Sequence, residues 1–147
     1  MKTRHLARAI ALQTLYSIDI NNRIKEVSLP YSEGLAGYTA AEEVALETDV
    51  VLYAALLING VLEHIDELDS LITRFSVKRR LENINIVDRN ILRISFFTLL
   101  YCKEVPAHSV IDEAVKLSQE YSNEVSYRFV NGILDTAVRS LNDSSEN

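Results

Sequence analysis

Arg4 and Arg8 stand one helical turn apart in a stretch, residues 1–18, that also carries Lys2 and contains no acid. Guanidinium groups at this spacing share a helix face, and their planar, fork-shaped donors suit phosphate oxygens. A second cationic run, Lys78, Arg79 and Arg80, precedes a strongly apolar segment. Arg128 adjoins Phe129, a pairing met where single-stranded RNA is held, because bases stack on rings while cations follow phosphates. On spacing alone, Phe129 reads first as a core residue at the start of an amphipathic helix and second as a stacking surface.

Residue types for catalysis are present, but not in working patterns. No G-x-S-x-G elbow occurs, and Gly34, Gly37, Gly60 and Gly132 cannot build a phosphate-cradling loop. Asp112 and Glu113 are adjacent, so on a helix they point about 100° apart and make a poor acid–base pair. His108 and Asp112 at i,i+4 are two potential ligands, which do not make a metal site; a helix-terminal charge contact is the plainer role. His64 reads as a helix-surface histidine. Cys102 is the single cysteine, which excludes an internal disulfide and a zinc framework. It reads as a buried, reduced thiol suited to the cytoplasm. No catalytic residue, metal or cofactor is therefore expected. No membrane span is expected either, since the most apolar stretch, Ile91 to Tyr101, is too short and contains Arg93.

The formal net charge of -6 hides a segregation. Residues 1–18 carry +3, residues 26–73 carry ten acids with no Lys or Arg, and residues 74–93 return to +4. Separate basic and acidic surfaces suit an anionic ligand on one side and a basic partner on another, although solvent-facing charges can also segregate without function.

Several helices must position these groups. Few glycines and prolines and a largely apolar chain of one-domain size predict an all-α fold. The first helix is expected from a Thr3 cap to about Ile20, followed by an irregular connection through Pro30, Gly34 and Gly37. Two or three helices follow between Ala40 and Phe75, with Asp49 as a candidate cap for the run beginning at Val50. Asn85 and Asp88 form a weak capping-box pattern before ILRISFFTLLY, whose apolar residues surround the helix axis and predict a central, buried helix. After Pro106, helices are expected from about His108 to Tyr121 and from a Ser126 cap to Leu141. Residues 1–141 are read as one domain and residues 142–147 as a flexible polar tail.

The order of these segments resembles the NusB family. RHLARAIALQTLYSIDI is similar to its arginine-rich first helix, VDRNILRISFFTLLY to its buried helix, and VPAHSVIDEAVKLSQEY with FVNGILD to its C-terminal helices. The resemblance implies a compact bundle of about seven helices in two three-helix subdomains. It implies a non-enzymatic transcription antitermination factor that binds boxA of nascent ribosomal RNA. NusE, a small-subunit ribosomal protein, is the implied partner, with other Nus factors and RNA polymerase joining the complex. Carried onto this chain, the RNA surface comprises Lys2, Arg4, His5, Arg8 and Gln13, with Arg128 and Phe129, and the NusE surface Tyr16 and Asp88. This chain departs from the family where His5 and Leu6 replace common cations and where Val125 replaces a common acid. Two other readings remain: a protein-interaction module that self-associates as a homodimer and occludes the RNA face, and a fragment of a ribosomal RNA methyltransferase, which would require truncation.

Overall fold

The computed structural model describes residues 2–146, and the side chains of residues 3–143. Among them the chain forms seven α-helices and no strand. In order these are α1 (Lys2–Ile20), α2 (Ala40–Ala45), α3 (Thr48–Glu63), α4 (Ile65–Phe75), α5 (Ile86–Tyr101), α6 (Ala107–Tyr121) and α7 (Ser126–Glu146), with one 3-10 turn at Leu81–Asn83. The chain divides into two compact units, Met1–Ile65 and Asp66–Asn147. The first holds α1, α2 and α3. The second holds four helices rather than three, because α4, although short, is a separate element.

In the first unit α1 packs on α3. Ala7, Ile10, Ala11, Leu15 and Ile18 recur at three- and four-residue spacings and are all buried, as are Val50, Ala54, Leu57, Ile58 and Val61 of α3. The alanines let the backbones approach, and each fully buried leucine or isoleucine contributes about 1.5–3 kcal/mol. The helix expected to open at a Thr3 cap already includes Lys2 and Thr3.

The connection after α1 is irregular but pinned. Gly34 and Gly37 have φ of 94° and 84°, a region that residues with a Cβ rarely adopt. The buried Thr14 hydroxyl donates to Ile10 O and accepts from the Ala36 amide at 3.1 Å. The Tyr31 amide donates to Asn59 Oδ1 at 2.7 Å. Arg23 grips Glu33 with two bonds of 2.9 and 2.8 Å. A reciprocal capping box opens α2: Glu42 N donates to Thr39 Oγ1, and Thr39 N donates to Glu42 Oε1. Asp49, expected as a cap, instead lies in the first turn of α3 behind Glu47.

In the second unit α5 packs against α6 and α7, and α6 against α7. Every residue from Ile91 to Thr98 is buried, as expected of a helix apolar on all sides. Burial relaxes at Leu99 and Leu100, which are half-covered. Phe96 stacks on Phe75 with centroids 6.3 Å apart and rings 16° from parallel. Asn85 caps α5 by accepting from the Asp88 amide at 2.9 Å. At α7 the expected cap changes. Asn123 Oδ1 accepts from the Val125 and Ser126 amides, while the Ser126 hydroxyl turns inward to Ser122 and Ser118. The segment expected as a tail from Asn142 continues α7 to Glu146, with no proline or glycine there to stop it. No single helix is long and apolar enough to cross a membrane among the described residues.

Candidate functional site

The apolar stripe that seats α1 on α3 dictates which α1 residues remain outside. Arg4 is exposed, and His5, Arg8 and Gln13 are half-covered on the flank of that stripe. The residue that organises this flank is Tyr53 of α3. The Arg4 guanidinium carbon lies 3.9 Å from the Tyr53 ring centroid and that of Arg8 lies 5.7 Å from it. Both are within cation–π range. Tyr53 is only 7% exposed, so its ring is a fixed platform. Beside it a groove of about 350 Å³ is lined by Thr3, Arg4, Asp49, Leu52, Tyr53 and Leu56. The side chain of Lys2, expected on the same surface, lies outside the described residues.

Sequence reasoning did not single out Tyr53. The signal available was slight: Tyr53 is the one aromatic in an otherwise aliphatic stripe of α3, at helical spacing from Val50 and Leu57.

A second set of cations and rings lies within the other unit. Arg79 places its guanidinium carbon 4.5 Å from the half-buried Phe129 ring, and that of Arg128 lies 5.7 Å from the Tyr127 ring. Arg128 Nε also donates to the Tyr127 hydroxyl at 3.3 Å. Phe129 is thus half-buried in α7, with its ring under the Arg79 guanidinium. Lys78, Arg79 and Arg80 are exposed, with Arg80 3.9 Å from Glu82. The Arg79 carbonyl accepts from the Ser76 hydroxyl, which holds the loop.

The two residues expected at a protein partner's surface part company. Tyr16 is 36% exposed on α1. Asp88 is 0% exposed, so its carboxylate does not face a partner in this structure. It accepts from Asn85 Nδ2 at 2.7 Å and from the Ser118 hydroxyl at 3.0 Å, tying the start of α5 to α6. The family resemblance placed Asp88 at the partner surface, and the sequence itself read it only as part of a capping pattern with Asn85. The small Ser118 and Ser126 opposite it create the enclosed polar niche instead.

His108 and Asp112 are both exposed, and no group of three metal-ligating side chains occurs among the described residues. A basic, aromatic-backed helix face with no catalytic grouping is suited to holding a polyanion.

Residues 5–139 match the NusB family. The chain belongs to that family. A transcription antitermination protein NusB from Myxococcus xanthus is 38% identical over 143 residues, covering 97% of this chain and 99% of that one. The NusB protein of Syntrophus aciditrophicus is 35% identical over 149 residues, covering 99% and 88%. Among solved structures, Thermotoga maritima NusB superposes with a TM-score of 0.75 at 28% identity, covering 92% of this chain and 90% of that one. A crystal structure of antitermination factors NusB and NusE in complex with double-stranded RNA gives a TM-score of 0.73 at 26% identity, covering 95% and 98%. The fold is NusB-like, and the family's role in transcription antitermination is not enzymatic.

Proposed function

We propose that this chain binds boxA RNA together with NusE, in the cytoplasm, and with them joins other Nus factors on RNA polymerase to suppress termination in ribosomal RNA transcripts. The observation that carries the reading is the Arg4–Arg8 pair set over Tyr53, on a helix that contains no acid before Asp19. That face supplies positive charge on a molecule that is acidic overall, so a polyanion is drawn to one place. The RNA surface is read as Lys2, Arg4, His5, Arg8 and Gln13 in the first unit and Arg128 with Phe129 in the second. The NusB–NusE–RNA neighbour supports the choice of partner. Tyr16, exposed on α1, remains the residue offered to NusE.

Titration of labelled boxA RNA with this protein, alone and with recombinant NusE, tests the reading. The expected result is salt-sensitive binding that strengthens with NusE, and equal affinity for a scrambled RNA would overturn it. A second reading, self-association that covers the RNA face, is favoured by Leu52 and Leu56, exposed by 62% and 48% beside Arg4. Light scattering of the free protein separates the two, because a dimer should dissociate as RNA is added.

A further inference from the structure

We propose that Tyr53 is a positioning residue for the RNA-binding surface, its ring holding the Arg4 and Arg8 guanidinium groups ready for phosphate. The inference rests on the RNA reading above and adds to it a residue on α3 that need not touch RNA. Two cations from successive turns of α1 share one ring of another helix, at 3.9 and 5.7 Å. Tyr53 is only 7% exposed, so its ring is confined by its packing. Arg4 has no carboxylate partner among the described residues, so the ring leaves its hydrogen-bond donors available.

The Tyr53 hydroxyl is no part of the case. It is buried without a hydrogen-bond partner among the described residues. A stranded hydroxyl is unfavourable, so what the residue contributes lies in its ring. What Tyr53 supplies that an aliphatic residue cannot is the π face beneath the two cations. An arginine already held in one rotamer loses less freedom when it meets its ligand, so pre-seating two of them favours binding without a new contact to RNA.

The test compares Tyr53→Phe and Tyr53→Leu in full-length protein titrated with boxA RNA, with helical circular dichroism to confirm folding. Tyr53→Phe keeps the ring and should bind within about twofold of wild type while melting at the same temperature or higher. Tyr53→Leu removes the platform and should weaken binding by about 2- to 5-fold for each cation released, roughly 4- to 25-fold in all. Arg4→Gln should then cost less in the Tyr53→Leu background than in wild type, a coupling that a merely structural role would not produce. If Tyr53→Leu does not fold, nuclear magnetic resonance of the free wild-type protein decides. Arg4 side-chain protons should show upfield ring-current shifts, and their absence overturns the proposal. Wild-type RNA affinity in a folded Tyr53→Leu variant also overturns it, while a loss confined to Arg4→Ala with Arg8→Ala leaves the RNA surface standing. If that double variant binds normally too, the RNA surface itself is misassigned and the proposal falls with it.

Discussion

Arg93 and Asp69 form a two-pronged ion pair inside the second unit, with Nε to Oδ1 at 2.7 Å and Nη2 to Oδ2 at 3.0 Å. Arg93 is 3% exposed, and its Nη1 also donates to Asn90 Oδ1 at 3.0 Å. The pair explains how a charge can sit in the continuously buried stretch of α5. Removing one partner of such a pair strands the other in a poorly solvated place. Asp69→Ala should therefore destabilise the protein by about 3–5 kcal/mol, read as a shift in the urea midpoint. A midpoint near wild type would mean that water reaches Arg93 once the carboxylate is gone.

Phe96 is fully buried and stacks on Phe75 across α4 and α5. Phe96→Ala should cost about 3–5 kcal/mol through lost burial and the cavity left behind. Leu99→Ala should cost less than Phe96→Ala, because Leu99 is already half-covered. Equal losses at the two positions would show that the buried part of α5 extends a further turn.

This contrast also marks how far the sequence could be read. The all-helical class, the central helix and the termini of α6 were legible because apolar spacing and proline act locally. Burial of Asp88 was not, because it depends on Ser118 and Ser126, brought opposite it only by packing. The same holds for the site. Arg4 and Arg8 were legible as a pair at i,i+4, whereas Tyr53 joins them from another helix, at a separation no local pattern reports. That α7 runs on to Glu146 was not legible from the polarity of residues 142–146, although nothing in them breaks a helix.

Asp88→Asn probes the enclosed niche at the start of α5. Its side-chain oxygen can still accept from Ser118, but its amide must face the Asn85 amide now donating to Asp88. Two donors facing each other leave one buried group unsatisfied, so a loss of about 1–3 kcal/mol is expected. Binding of NusE by the folded variant should change little. A specific loss of NusE affinity with unchanged thermal stability would return Asp88 to the partner surface.

Acid should loosen the segment that follows α1. The Arg23 guanidinium, by hydrogen bond and by charge, holds the Glu33 carboxyl below the usual carboxylate range. Hydrogen bonds from Thr39, the backbone amide first, do the same for Glu42. For a folded pKa lower than the unfolded one, the stabilisation is complete above the unfolded value and is lost as pH falls through the folded one. Amide exchange at Thr39 should therefore accelerate only below the ordinary glutamate range, and Glu42→Ala should abolish that pH dependence. Carboxyl titrations of Glu33 and Glu42 at ordinary values would refute the assignment.

Arg4→Ala combined with Arg8→Ala tests the cationic face directly. Both residues lie outside the buried stripe of α1, so the thermal midpoint should move little. RNA affinity should fall, and the fall should depend on salt. Each phosphate contact releases condensed counterions, so losing one flattens the log–log dependence of affinity on salt by about 0.7 for a single strand. Two lost contacts should thus reduce the slope by about 1.4 if the RNA is held as a single strand, and by about 1.8 if it is a duplex. Measuring the slope as well as the affinity separates charge loss from an indirect change in fold, which would weaken binding without altering the slope in this way. An unchanged slope in the double variant would remove α1 from the RNA surface and leave the Arg79–Phe129 and Arg128–Tyr127 pairs as the place to look for it.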